Sequence, residues 1–180
     1  MGTDKGLITT NEQTWAQAAA SKLGALELPC YLSVNESQHS GYATHFHSSQ
    51  LIRDNKTIDV RGPLLGVLSA HIELPGEDLF VLACDLPLME IAVLEQLVES
   101  CNAIAADTFF FTNDGNPEPL CAIYTANGLA HVLDLLNTGR LQKHSMKYIL
   151  EHLPTHTIPL RPDQKPFFRN FNAHADLNGL

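Results

Sequence analysis

Apolar and polar positions alternate between helical and strand-like spacing along the first hundred residues. An apolar face recurs at helical intervals after Gly62-Pro63, residues 12–24 are rich in helix formers and end at a glycine, and a further helix is predicted over 89–101. Three short runs between these segments have strand length: 29–34, 50–53 and 79–84. The last run is continuously apolar, which is typical of a strand buried on both faces. This alternation predicts a parallel sheet with crossover helices.

The second half of the chain has a different pattern. Segments 108–112 and 120–124 are apolar and flank a turn-rich stretch at 113–117, which predicts a hairpin-like pair antiparallel to the main sheet. Two helices, near 127–137 and 142–153, and a short strand around 157–158 are expected to follow.

Composition places the chain among globular proteins. Of its 180 residues, 44% are hydrophobic and 17% charged, and this length predicts one domain with a full core. No apolar run approaches the roughly 18–20 residues needed to cross a bilayer, and residues 1–5 lack a secretory pattern. We therefore expect a cytoplasmic protein without membrane association. Four widely spaced cysteines are interpreted as structural residues, and no histidine or cysteine spacing predicts a metal site.

Charge narrows the classes of partner. The net charge of −9 argues against nonspecific nucleic-acid binding. Residues 140–180 nevertheless hold six of the eleven basic residues and only three acidic ones. This basic segment is either a patch for an anionic small ligand or a solvated face of the protein.

Polar residues follow three of the predicted strands, namely Asn35, Asp54 and Asp85. Because ligands of open α/β sheets bind at the carboxyl ends of the strands, these residues predict a binding site. Asp85 is either a magnesium ligand, since Mg²⁺ takes one or two carboxylates plus phosphates and water, or the cap of the helix predicted to begin near Met89.

Two glycine-containing segments accompany these residues. Lys5, in the glycine-flanked start of the chain, is either a cation for a nucleotide phosphate or a frayed terminal lysine. Gly66 is expected to allow close packing of a helix on a strand, whereas Gly62 either does the same or presents backbone N–H groups to an anion.

Taken together, these motifs resemble the molybdenum cofactor guanylyltransferases, which belong to the Rossmann-like nucleotidyltransferases. The matching segments are Met1-Gly2-Thr3-Asp4-Lys5-Gly6, Asn35, Asp54, Gly62-Pro63-Leu64-Leu65-Gly66, Cys84-Asp85-Leu86-Pro87 and Phe168-Arg169-Asn170-Phe171-Asn172. Their order and spacing agree over nearly the whole chain. The resemblance implies an α/β fold of three layers, with a mostly parallel Rossmann-like sheet, helices on both faces and a small antiparallel addition.

The resemblance also implies an activity and roles for particular residues. The activity is transfer of GMP from GTP to molybdopterin or its molybdenum-loaded form, with release of pyrophosphate and with Mg²⁺ as cofactor. Lys5, Asn35, Asp54 and Asp85 resemble GTP-binding residues, with Lys5 and Asp85 catalytic and Asp85 the metal ligand. Asn170 and Asn172 resemble residues on the molybdopterin side. Proteins of molybdenum insertion or molybdoenzyme maturation are further partners that the resemblance suggests.

The chain departs from the family at its start. Family members place an apolar strand and a Leu-x-Gly-Gly-x-Ser-x-Arg loop ahead of the Met-Gly-x-Asp-Lys motif, whereas this sequence begins at that Met. We therefore expect residues 1–180 to form a single, N-terminally truncated nucleotidyltransferase-like domain whose neighbouring strands expose unpaired edges. The alternatives are a nucleotidyltransferase that uses CTP or another phosphorylated acceptor, and a non-catalytic nucleotide-binding domain.

Overall fold

The structure, a computed structural model, describes residues 4–171. Helices in this range are α1 (Trp15–Gly24), α2 (His39–Tyr42), α3 (Pro63–Glu73), α4 (Ile91–Ala103), α5 (Ala126–Asn137) and α6 (Met146–Ile149). Strands are β1 (Thr9–Thr10), β2 (Gln13–Thr14), β3 (Leu32–Val34), β4 (Leu51–Arg53), β5 (Leu79–Leu82), β6 (Thr108–Asn113), β7 (Asn116–Tyr124) and β8 (Thr155–Pro159). Short 3₁₀ helices cover Lys5–Leu7, Ser48–Gln50, Leu150–His152 and Lys165–Phe168.

Four strands form the main sheet, in the order β5-β7-β6-β8. The β7 strand is antiparallel to both β5 and β6, and β8 is parallel to β6. Three strands therefore run in one direction and β7 runs in the other. The predicted antiparallel hairpin is β6–β7, and its second strand lies between β5 and β6, inside the sheet.

The main sheet is covered on both faces. Along β6, Phe110 points into one core while Phe109 and Phe111 point into the other, as the two-residue period of a strand requires. Helices α3, α5 and α6 complete the first core, and α4 with the 3₁₀ helix Lys165–Phe168 completes the second. The predicted three-layer α/β architecture, with helices on both faces, is confirmed.

A second, smaller sheet consists of β3 and β4, which are parallel. Helix α3 packs on both of its strands. The approach of helix and sheet is close at Gly66, because a Cβ there would lie 2.4 Å from Ser33 Oγ. The packing role predicted for Gly66 is confirmed. Gly62, at the N-terminus of α3, has φ +69°, ψ −156°, a conformation that essentially only glycine adopts.

Among the described residues β3 pairs only with β4, and β5 pairs only with β7. Each strand therefore has one unpaired edge, as expected. Alternate residues of β5 pack on the two cores, so both faces of the strand are covered, but all four residues are only half-buried and the expected full burial is not reached. The cause is the open space beside the free edge of β5, which no neighbouring strand fills.

Several element boundaries differ from those predicted. The helix predicted at 142–153 is reduced to α6 and the following 3₁₀ turn, because residues 141–145 carry no regular structure. The small β1–β2 hairpin was not predicted, and it turns through Asn11 and Glu12, both at positive φ. None of the helices within residues 4–171 combines the length and the apolarity needed to cross a membrane.

Candidate functional site

An ion pair between Lys5 and Asp85 lies at the carboxyl end of β5. Lys5 Nζ is 3.1 Å from Asp85 Oδ2, and the two side chains are 38% and 22% exposed. Lys5 opens a 3₁₀ turn and is therefore not a frayed terminal residue. Asp85 lies in the turn after β5, and α4 begins only at Ile91 with Glu90 as its N-cap residue, so Asp85 is not a helix cap. Both charged groups remain accessible to a ligand.

Asp4 anchors the segment that carries Lys5. Its Oδ1 accepts hydrogen bonds from Gly6 N at 3.0 Å and from the Tyr42 hydroxyl at 3.1 Å. Its Oδ2 accepts a hydrogen bond from Gln38 Nε2 at 2.8 Å. These contacts tie the 3₁₀ turn Lys5–Leu7 to the segment that follows β3.

Asn35 and Asp54 follow the two parallel strands of the smaller sheet. The Asn35 side-chain oxygen accepts hydrogen bonds from Ser37 Oγ and Gln38 N, so this residue shapes the turn after β3. Its own backbone N–H donates to Gln38 Oε1, and Gln38 thereby links Asn35 to Asp4. Asp54 N donates to Val34 O, which places Asp54 beside the end of β3, and burial raises the pKa of its half-buried carboxyl.

The segment near residue 170 also reaches this site. Phe171 is fully buried against Trp15, and its backbone N–H donates to Asp85 O at 3.1 Å. Asn170 is exposed and directly precedes Phe171, so it lies next to the loop that carries Asp85. Asn172, the second residue expected on the molybdopterin side, lies outside the described residues.

Two groups next to this polar network, Tyr42 and Cys84, have raised pKa values. Burial, followed by the neighbouring Cys84 and Asp4, raises the pKa of Tyr42 well above its usual range, so its hydroxyl is a stable donor to Asp4. Burial, followed by the negative charges of Asp85 and Asp4, raises the pKa of the Cys84 thiol to about 11. Cys84 is therefore a neutral thiol near pH 7, and all four cysteines are free, in agreement with their structural interpretation.

The sequence brought attention to Lys5, Asn35, Asp54 and Asp85, and the structure places all four at one end of the two sheets. The sequence did not predict that Asp4 anchors the turn carrying Lys5, or that Gln38 links Asn35 to Asp4. No local sequence pattern indicated a role for Gln38, because its hydrogen-bond partner Asp4 lies 34 positions away along the chain. Asp4 was visible only as part of the segment around Lys5.

The donor set at Asp85 fits a weakly held hard cation. Within residues 4–171, no three His, Cys, Asp or Glu side chains cluster in a way that would hold a metal ion. One accessible carboxylate at a strand end suits Mg²⁺, because this ion is bound by one or two carboxylates together with substrate phosphates and water. It does not suit Zn²⁺, which needs three or four protein ligands.

Three of the six basic residues in the predicted basic segment form ion pairs, the first being Arg140 with Asp134. Arg161 pairs with Asp163 at 3.3 Å, and Lys165 pairs with Asp114 at 2.6 Å. The Arg169 guanidinium lies over the Phe171 ring, 5.1 Å from its centroid. Arg169 is thus the basic residue of this segment that lies next to the Asp85 loop, and the segment as a whole resembles a solvated face more than one continuous patch.

Sequence comparisons identify relatives of this chain. A relative from Methanothermobacter thermautotrophicus, whose name reads "Probable molybdenum cofactor guanylyltransferase", is 26% identical over 98% of this chain and 90% of its own length. The "Molybdenum cofactor biosynthesis bifunctional protein" of Synechocystis is 27% identical, and this chain spans half of its length.

A structural comparison supports the same fold. The crystal structure of "Molybdopterin-guanine dinucleotide biosynthesis protein A" from Archaeoglobus fulgidus superimposes with a TM-score of 0.77, at 19% identity, over 98% of this chain and 88% of that one. The sequence profile of the MobA-like NTP transferase domain matches residues 1–156 of this chain. The protein belongs to the MobA-like NTP transferase domain family and is a nucleotidyltransferase.

Proposed function

We propose that this protein transfers GMP from GTP to molybdopterin, or to its molybdenum-loaded form, and releases pyrophosphate. The observation that carries the proposal is the accessible Lys5–Asp85 pair at the carboxyl end of β5, in a chain of this family. The name of the Methanothermobacter relative supports guanylyl transfer, and the name of the Synechocystis relative supports a role in molybdenum cofactor biosynthesis.

The reaction joins two anions. A phosphate oxygen of the pterin attacks the α-phosphorus of GTP, and a new P–O bond forms there. The bond from that phosphorus to the pyrophosphate oxygen breaks, and its electrons leave with pyrophosphate. Because no protein nucleophile is required, the protein contributes positioning and positive charge.

Each site residue has a role in this scheme. Lys5 Nζ lies near the phosphates and offsets the negative charge that accumulates on the leaving group. Asp85 holds Lys5 in place and would hold the divalent cation, for which we propose Mg²⁺. When bound, that cation supplies further positive charge for the phosphates. Asn35 and Asp54 contact the nucleotide, and Asn170 and Asn172 contact the pterin.

The test is pyrophosphate release by the purified chain with molybdopterin, Mg²⁺ and either GTP or CTP. We expect turnover with GTP and at least about tenfold less with CTP. A preference for CTP, or turnover with a sugar phosphate in place of the pterin, would assign the protein to a related nucleotidyltransferase reaction instead.

Asp85→Asn tests the site itself. We expect pyrophosphate release to fall at least about a hundredfold, because a preorganised charge at the reacting phosphates is lost. The free energy of unfolding should change by less than about 1 kcal/mol, since the pair with Lys5 is partly solvated. Asp163→Asn is the matched control, because it removes an exposed, ion-paired carboxylate that has no proposed role in binding or catalysis and should leave turnover unchanged. Retained turnover in Asp85→Asn would refute the assignment.

A further inference from the structure

The loop that carries Asp85, residues 83–90, joins β5 to α4. Its first residue, Ala83, still donates its N–H to Leu120 O of β7, at 2.7 Å. The structure describes every residue of this loop, and none of them belongs to a helix or a strand. The position of the Asp85 carboxylate therefore depends on how the loop is held by its surroundings.

Apolar side chains hold the loop against the protein. Leu86 and Met89 are buried in the core that α4 completes. Leu88 packs on the small cluster that contains Trp15 and Phe171. Apolar burial is favourable but not directional, so it sets the depth of the loop without setting the orientation of its peptide groups. That orientation requires directional contacts.

Two hydrogen bonds from outside the loop supply this direction. Phe171 N donates to Asp85 O at 3.1 Å, and Lys22 Nζ donates to Pro87 O at 2.7 Å. Hydrogen bonds weaken steeply when donor and acceptor are misaligned, so each one restrains the peptide group that it meets. The carbonyls of Asp85 and Pro87 are two residues apart, and the chain between them is thereby restrained at both ends.

Both of these contacts depend on helix α1. The Phe171 ring packs edge-to-face on Trp15, the first residue of the helix, with the ring centroids 6.5 Å apart. Lys22 lies in the last turn of the same helix. Because residues seven positions apart lie on one face of a helix, Trp15 and Lys22 are directed to the same side of α1. The loop that carries Asp85 therefore runs along one face of α1.

The environment of the Lys22 ammonium is unusual for a lysine. The residue is half-buried, and burial lowers its pKa, whereas the negative charge of Glu90 acts in the opposite direction. Ordering a lysine side chain costs conformational entropy, and removing its charge from water costs solvation. A hydrogen bond from a charged donor is stronger than a neutral one and offsets part of these costs. The ammonium of Lys22 is thus directed to the backbone of the loop.

We propose that Lys22 is a positioning residue for Asp85. By holding Pro87 O, it keeps the loop in the orientation in which the Asp85 carboxylate faces Lys5 and the divalent cation. The part of this inference that concerns the cation rests on the proposed function. Placement matters at this point, because a displacement of about 1 Å at a reacting group can lower a rate about a hundredfold.

Lys22→Met tests the contact in the full chain without any ligand, because it removes the ammonium and keeps an unbranched side chain. We expect the amides of Met89, which donates to Leu86 O, and of Phe171 to exchange at least about fivefold faster, since a hydrogen bond from a charged group is lost. Amides of β3 and β4 should change by less than about twofold, because local openings of these strands leave the contact intact.

Two further variants serve as controls for the exchange measurement. Lys22→Arg keeps a cation on a long stem and should retain slow exchange at Met89 and Phe171. Lys165→Met removes a lysine that binds Asp114 in the turn between β6 and β7, and should leave exchange in the loop unchanged. Unchanged exchange at Met89 and Phe171 in Lys22→Met would overturn the proposal.

The second readout is the Mg²⁺ requirement of pyrophosphate release. We expect the Mg²⁺ concentration for half-maximal rate to rise about tenfold in Lys22→Met, as for other residues that orient a metal ligand, and to return to within about twofold of the unmodified chain in Lys22→Arg. The KM for GTP at saturating Mg²⁺ should change by less than about twofold, because Lys5, Asn35 and Asp54 are retained.

The two readouts separate this inference from the proposed function. An unchanged Mg²⁺ requirement in Lys22→Met, in a chain that turns over, would overturn the positioning role even if exchange were faster. If the unmodified chain released no pyrophosphate with GTP and molybdopterin, the proposed function would fail. The exchange rates at Met89 and Phe171 would then still decide whether Lys22 holds the loop that carries Asp85.

Discussion

The position of Lys5 depends on its neighbour Asp4. One carboxylate accepts three hydrogen bonds, from Gly6, Tyr42 and Gln38, and so fixes the turn that points the lysine toward the site. An exposed lysine side chain is otherwise free to adopt many rotamers, and holding it costs conformational entropy. Rigid support of the turn reduces that cost, since the backbone of Lys5 is already placed before any phosphate binds.

Gly6→Ala tests this support at the level of one atom. The new Cβ would overlap the Tyr42 hydroxyl and would push the ring away from Asp4. We expect the free energy of unfolding to fall by about 1–3 kcal/mol, as for other overpacked sites. Urea unfolding measures the loss.

Tyr42→Phe is the partner variant for Gly6→Ala in a double-mutant cycle. It removes the hydroxyl that the new methyl group meets, so the two changes should couple favourably by about 1 kcal/mol. The ring carbon that bears the hydroxyl would still be 3.0 Å from the new Cβ, so Tyr42→Phe should relieve only part of the steric overlap. Strictly additive losses would show that the overlap is relieved in another way.

At the scale of elements, the sequence predicted features that depend on neighbouring residues, such as helix starts and turns, but not the pairing of strands that are distant along the chain. Gly62-Pro63 marked the start of α3, and the Asn113–Asn116 turn marked the β6–β7 hairpin. The insertion of β7 between β5 and β6 left no local trace, because strand order depends on contacts between distant segments. The same distinction applies to the site, where strand ends predicted Asn35, Asp54 and Asp85, but not Gln38.

Helix α1 depends on the capping box at its start. Thr14 Oγ1 accepts a hydrogen bond from Gln17 N at 3.2 Å, and Thr14 N donates to Gln17 Oε1 at 2.9 Å. We expect Thr14→Ala to lower the free energy of unfolding by about 1 kcal/mol, because an N–H of the first turn loses its partner.

Thr14→Ser is the control, since it keeps the hydroxyl and loses only the methyl group of this buried residue. Denaturant midpoints of the two variants should therefore differ, with serine nearer to the unmodified chain. Equal midpoints would mean that the methyl group, and not the cap, accounts for the loss.

The whole molecule consists of two sheets with very different amounts of core. The four-stranded sheet lies between two large apolar clusters, whereas the β3–β4 pair packs on a small cluster whose buried members are Ala16, Val34 and Tyr42. At the site, the hydrogen bond from Gln38 to Asp4 connects the segment after β3 to the turn that carries Lys5. The end of the molecule that carries Asn35 and Asp54 therefore has less apolar stabilisation than the end that carries the main sheet.

Native-state hydrogen exchange should resolve this difference as two levels of protection. Amides of β3 and β4, including the Asp54 N–H that donates to Val34 O, should exchange through a partial opening at least about 2 kcal/mol below global unfolding, because local stability follows buried apolar contacts. Amides of β6 and β7 should exchange only with global unfolding. Ile149→Val separates the two levels, since it removes one methylene from the main core, where Ile149 is fully buried, and should lower protection of β6 and β7 by about 1 kcal/mol. Protection of β3 and β4 should stay unchanged in that variant, and a parallel loss in both sheets would mean that they unfold as one unit.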